Sequence, residues 1–166
     1  MKEKIIIATE LVETSPQALP LGAACIVSSL KSHSLIANHY DVLLQDFSAE
    51  DFLPTDDIKT KANFIAKQIA NLKPGIVGLS IFVWNHLVMD EVANLLKQIL
   101  PEVFLIAGGP EVTANPICFK KNFDFIICGA GEEKIINLVL SIMDKKNTIQ
   151  NGSSQFSQTD LTRTKN

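Results

Sequence analysis

Apolar runs and helical stripes alternate along this chain. Ile5-Ile6-Ile7-Ala8 is a short β-branched run and predicts a buried first strand. A loop from Thr9 to Leu19 follows, carrying Thr14-Ser15-Pro16. Leu21 to Leu30 is small and apolar (Gly22-Ala23-Ala24-Cys25-Ile26-Val27), which suits a helix packed closely on a sheet. Asn38 to Leu44 reads as a second strand, with Gln45-Asp46 at its end. Asp56-Asp57 can cap a helix on which Ile58, Ala62, Ile65, Ile69 and Leu72 form one stripe, with lysines opposite. Pro74-Gly75 then breaks the chain ahead of Ile76-Val77-Gly78-Leu79-Ser80-Ile81-Phe82-Val83-Trp84-Asn85. That apolar run does not alternate with polar residues, so it predicts a strand buried on both faces, as in a parallel sheet.

Beyond it, Val88, Val92, Leu95, Leu96 and Ile99 fall at helical spacing between Leu87 and Leu100, and Pro101 stops the helix. Val103 to Ala107 is a fourth strand running into Gly108-Gly109-Pro110-Glu111. Asn115 to Lys121 predicts a short, weak helix. Phe123 to Cys128 is a fifth strand, ending in Gly129-Ala130-Gly131-Glu132-Glu133, and a helix from Glu132 to about Met143 follows. Such alternation predicts an α/β fold: a three-layer, Rossmann-like (flavodoxin-like) domain over residues 1–144, with a five-stranded parallel sheet in the order 2-1-3-4-5. The polar tail, 145–166, has little to bury and is expected to be disordered, or a cloning or frameshift remnant.

Composition adds limits. At 166 residues the prior is one domain, able to bury about two-thirds of its unfolded surface. A net charge of −3 leaves no basic footprint for nucleic acid. Cys25, Cys118 and Cys128 have no metal-ligand spacing and read as small core residues of a reduced, cytoplasmic protein. No apolar stretch has the length to span a bilayer, and Ile5-Ile6-Ile7 is too short for a signal peptide.

Open parallel sheets bind ligands beyond the carboxyl ends of their strands. Ser80, Trp84 and Asn85 stand at that edge after the third strand, Gly108-Gly109-Pro110 after the fourth and Gly129-Ala130-Gly131 after the fifth. Glycine lets a ligand approach the backbone, so three such ends side by side point to a large or extended ligand. A dinucleotide fingerprint after the first strand is absent, as are a P-loop, the acidic set of a receiver domain and a deducible catalytic triad. No catalytic residue and no metal ligand is assigned.

Gly78 to Asn85, Gly108-Gly109-Pro110-Glu111-Val112 and Asp124 to Glu132, in that order and spacing, resemble the N-terminal cobalamin-binding domain of cobalamin-dependent radical SAM enzymes. Leu19-Pro20-Leu21-Gly22-Ala23-Ala24 resembles the helix start of the same domain. The resemblance implies roles residue by residue. Ser80-Ile81-Phe82 stands for the family's S-x-L type motif, whose hydroxyl can bond the dimethylbenzimidazole tail. Gly108 and Gly109, with Pro110 and Glu111, would let the nucleotide tail pass. Gly129, Ala130, Gly131 and Glu132 stand where the family often has G-E-G-E, with Ala130 a departure. Trp84 would face the corrin, with Asn85 beside it or capping the helix that begins at His86, and Thr9, Glu10, Leu11 and Val12 would face the corrin's lower side, with Gly22 at the start of the first helix.

The D-x-H-x-x-G motif of the methionine synthase group is absent, so the resemblance implies base-off cobalamin with no histidine ligand from this chain. The radical SAM C-x-x-x-C-x-x-C motif is also absent, so no iron–sulfur cluster is expected in it. The expectation is a cobalamin-binding module, a fragment or stand-alone relative of a radical SAM methyltransferase or oxidoreductase, not catalytic alone. Its expected partners are cobalamin, a radical SAM domain outside this chain, and a second copy of itself. The alternative is a non-catalytic interaction or scaffold domain that kept the fold and lost the cofactor.

Overall fold

Five parallel strands pair side by side in the order β2-β1-β3-β4-β5. They belong to a computed structural model that describes residues 2–12 and 19–150. In chain order the elements are β1 (Glu3–Glu10), α1 (Leu21–Ser32), α2 (Ser34–His39), β2 (Tyr40–Phe47), α3 (Ile58–Asn71) and β3 (Ile76–Ser80). Then come α4 (His86–Ile99), β4 (Phe104–Gly108), α5 (Pro110–Ala114), β5 (Phe125–Ile127) and α6 (Glu132–Gln150). The α/β class and the 2-1-3-4-5 order agree with the sequence pattern.

Two cores sandwich the sheet, and strand alternation sorts residues between them. Ile6, Ala8, Val77, Leu105 and Ala107 pack with Ile65 and Ile69 of α3 and Val92 and Leu96 of α4. Ile5, Ile7, Ile76 and Ile106 pack with Val27 and Leu30 of α1 and with Ile135, Val139 and Ile142 of α6. Asp57 caps α3, its carboxylate accepting from the Thr60 N–H at 2.8 Å.

Three local expectations are corrected. Ser34–His39 is a helix, which no stripe announced because only Ile36 of it is buried. The segment after β4 is helical at Pro110–Ala114, with Pro at its first position, and continues as a 3₁₀ turn at Pro116–Phe119 rather than one helix over Asn115–Lys121. Helix α6 runs on to Gln150, past the Met143 end expected. The rest of the polar tail, 151–166, lies outside the described residues, as do Glu13 to Ala18 of the loop after β1.

Candidate cofactor site

All five strands point their carboxyl ends to one edge, where β3, β4 and β5 end in register. Ser80 pairs with Gly108, and Gly108 with Ile127. One row deeper, Gly78 sits between Ile7 and Ile106. Gly78, Ser80 and Gly108 therefore lie on the face that α1 and α6 cover. Two of those positions carry no side chain: at Gly78 a Cβ would already meet Ile7 Cδ1 at 2.8 Å, while Gly108 borders a cavity of about 350 Å³ between the sheet edge and the helices. Ile7, Ile26, Ile106, Ile127 and Ile135 make its apolar wall, and Ser80, Gly108 and Gly131 line its way in.

The glycines differ in what they accommodate. A Cβ added to Gly22 would meet nothing within 4 Å, and one on Gly108 nothing nearer than the Ile127 carbonyl at 3.8 Å. Those positions border open space. A Cβ on Gly109 would come within 2.5 Å of the Ile81 carbonyl oxygen. Gly109 is thus required by the chain's own turn, whereas the sequence reading assigned both glycines of the pair to the ligand. At the mouth, the Gly129 N–H already donates to Thr113 Oγ1 at 2.9 Å, and Lys134 Nζ donates to the Cys128 carbonyl at 2.7 Å.

Of the expected site residues, the structure brings Gly22, Ser80, Phe82, Gly108, Gly109, Pro110, Gly129, Ala130, Gly131 and Glu132 together around this cavity. The Ser80 hydroxyl has no hydrogen-bond partner among the described residues. Thr9, Glu10, Leu11, Trp84, Asn85 and Glu111 do not line it. Several of them hold the edge instead. Thr9, fully buried, donates to the Ser80 carbonyl at 3.1 Å. Asn85 is also fully buried: its Oδ1 accepts from the Phe82 N–H at 2.8 Å and its Nδ2 donates to the Glu10 carbonyl at 3.2 Å. It occupies the cap position of α4 with its carbonyl accepting from the Met89 N–H at 2.9 Å, but its side chain makes no bond into the helix. The Leu11 N–H donates to the Phe47 carbonyl at 2.7 Å, and Glu111 accepts from Asn115 Nδ2 at 2.8 Å. Trp84 is 53% exposed and stacked on Phe82 at 4.6 Å, so the two rings form a flat apolar step beside the mouth.

Sequence reasoning missed the wall itself: Ile7, Ala23, Ile26, Gly78, Ile106, Ile127 and Ile135. Gly78 was the available signal, since a glycine inside a strand marks close approach of something other than its own side chain.

Glu10 points to the other face, toward Lys61 of α3 at 3.5 Å. Burial pushes its carboxyl above the ordinary range, outweighing the neighbouring ammonium that pulls it down. A carboxyl with a raised folded-state pKa favours folding while protonated, and that contribution is lost as pH rises from the unfolded value through the folded one. Glu10→Gln should therefore lose less stability than the parent as pH rises above about 4.5, read from urea midpoints across a pH series.

A family model described as the B12 binding domain matches residues 12–139, most of the chain. The chain belongs to the B12 binding domain family. This B12-binding domain is 31% identical over 123 residues to an uncharacterized methyltransferase, PH0819, of Pyrococcus horikoshii, covering 72% of the chain and 24% of that protein. It is 32% identical over 65 residues to the cobalamin-dependent radical SAM methyltransferase TokK of Streptomyces tokunonensis, covering 39% of the chain and 10% of that enzyme. It is 29% identical over 125 residues to the 2-(S-pantetheinyl)-carbapenam-3-carboxylate methyltransferase of Streptantibioticus cattleyicolor, covering 74% and 17%. The chain spans a quarter or less of the length of these relatives. The RcsB response regulator of Salmonella typhimurium is similar at a TM-score of 0.50 and 12% identity, over 95% of this chain and 64% of that one. At that identity the likeness is one of fold.

The B12-binding domain keeps open space beside β3. The cleft beside β3 is not filled by the chain's own side chains, and added Cβ atoms at Gly22 and Gly108 would enter open space. Among the described residues no cluster of His, Cys, Asp and Glu could hold a metal ion, and no helix is long and apolar enough to cross a membrane.

Proposed function

We propose that this domain binds cobalamin base-off, with the nucleotide tail in the cavity beside β3 and the corrin over the carboxyl edge of the sheet. The observation that carries this reading is the glycine-floored apolar cavity, with the Ser80 hydroxyl, which has no partner among the described residues, at its entrance. A base detached from cobalt needs an apolar slot and one partner for its ring nitrogen, and the site offers both. The Phe82–Trp84 step and Pro110 would support the corrin's apolar rim. Gly129-Ala130-Gly131 and Glu132, at the start of α6, would border the sugar-phosphate link. Two of the histidines, His33 and His39, precede β2 at the opposite edge of the sheet, and His86, whose Nδ1–H donates to the Val83 carbonyl at 2.8 Å, does not line the cavity.

Bound cobalamin would supply a cobalt centre able to carry a methyl group or assist radical chemistry. The residues of this chain would do the binding, the orienting and the exclusion of water from the tail. The relatives named as methyltransferases support placing the domain in a methyltransferase, and TokK, named as a radical SAM methyltransferase, supports a radical SAM domain as partner. Hydroxocobalamin should bind saturably at micromolar concentration with a base-off visible spectrum. Ser80→Ala should weaken binding about five- to tenfold, the worth of one hydrogen bond in a desolvated site. No saturable binding, or a Ser80→Tyr variant that binds unchanged, would remove the assignment.

A further inference from the structure

We infer that the cavity discriminates among corrinoids by the base of their nucleotide tail, accepting a benzimidazole or a phenol and rejecting a purine. This rests on the reading above, in which the tail enters the cavity. The argument is an inventory of polar partners. Five isoleucines, Ile7, Ile26, Ile106, Ile127 and Ile135, make the wall. Ser80 and Glu132 are the polar side chains on the lining, and Glu132 is exposed at the mouth. Several backbone groups near the entrance are already engaged: the Gly108 carbonyl accepts from the Ile81 N–H at 2.8 Å, and the Gly109 carbonyl from the Thr113 N–H and hydroxyl, both at 3.0 Å. The Gly129 N–H and the Cys128 carbonyl are likewise taken by Thr113 and Lys134. Apart from Glu132, the lining is left with one side-chain partner, the Ser80 hydroxyl.

A benzimidazole joined to its ribose through one ring nitrogen keeps one acceptor, which one hydroxyl satisfies. Its methyl groups meet isoleucine. A phenol keeps no ring nitrogen and asks for nothing. An adenine joined through one ring nitrogen keeps three ring acceptors and an amino group with two hydrogens. Ser80 can meet one of these, and the remainder lose water without replacement. Each such buried, unpaired group costs about five- to a hundredfold in affinity.

The test needs no variant. The protein is titrated by absorbance with cobalamin, with an adenine-based cobamide, with a phenol-based cobamide and with cobinamide, which lacks the tail. The adenine form should bind at least about tenfold more weakly than cobalamin, and the phenol form within about tenfold of it. Equal affinity for the adenine form and cobalamin overturns the discrimination and leaves the proposed function standing. A phenol form weaker than the adenine form also overturns it. Cobinamide binding as tightly as cobalamin overturns the placement of the tail, and failure of cobalamin itself to bind overturns both readings.

Discussion

Gly108→Leu is expected to abolish cobalamin uptake while leaving the domain folded. Gly108 ends β4 and pairs with Ser80 on one side and Ile127 on the other. Its backbone is ordinary, the positive-φ glycines among the described residues being Gly109 and Gly129. A side chain at 108 therefore strains nothing, and its Cβ has 3.8 Å to its nearest neighbour. The further carbons of leucine enter the cavity at the point where a nucleotide tail would pass. Filling an apolar void with apolar atoms leaves stability near that of the parent, because no buried polar group is orphaned and no cavity is created. Binding should fall more than about a hundredfold, since the tail loses its slot while the corrin edge remains. Absorbance titration with hydroxocobalamin and a urea midpoint measure the two halves. Uptake within threefold of the parent in a folded Gly108→Leu protein would show that the tail lies elsewhere.

The same glycine shows how much of this molecule was legible in one dimension. Strand and helix periods predicted the sheet and its order, because Ile5 to Ala8 and Ile76 to Leu79 have no reason to be continuously apolar unless both faces are covered. The glycine-bearing strand ends were legible too, but not their division of labour: Gly109 and Gly129, both at positive φ, serve the turns, whereas Gly108 borders the cavity. The cavity wall was not. Ile7, Ile26, Ile106, Ile127 and Ile135 come from five different elements, and each looks like any core isoleucine in its own segment. Only their convergence leaves a void, and it opens beside Gly108; at Gly78 a Cβ would already meet Ile7 Cδ1 at 2.8 Å. Thr9, Glu10 and Asn85 show the reverse failure. Polar residues at a strand's carboxyl edge satisfy either a ligand or the loops that frame it, and composition does not separate the two. Here Thr9 and Asn85 are buried and spent on the carbonyls of Ser80 and Glu10.

Gly109→Ala is expected to cost about 3 kcal/mol of stability or more, where the much larger change next door costs little. Gly109 has φ +110° and ψ 177°, a region that only glycine occupies at low cost, and leaving a Cβ there costs on the order of 1–3 kcal/mol. The added methyl would also fall 2.5 Å from the Ile81 carbonyl oxygen and 2.8 Å from its nitrogen. Those atoms cannot yield freely. The Ile81 N–H donates to the Gly108 carbonyl at 2.8 Å, and the Ile81 carbonyl accepts from Glu111 at 3.2 Å, so the β3 and β4 ends are stitched together through the point of collision. Relieving the overlap means breaking one of these bonds or tilting α5, adding about 1–3 kcal/mol. Against a total of roughly 5–15 kcal/mol for a domain, that is a large fraction. Urea unfolding should show a lowered midpoint with an unchanged slope. Cobalamin affinity should fall as well, because Ser80 adjoins the displaced residue. A loss under about 1 kcal/mol would mean that the turn relaxes around the methyl at low cost. Two adjacent glycines would then serve the same purpose, rather than one clearing space for the cofactor and the other for the chain.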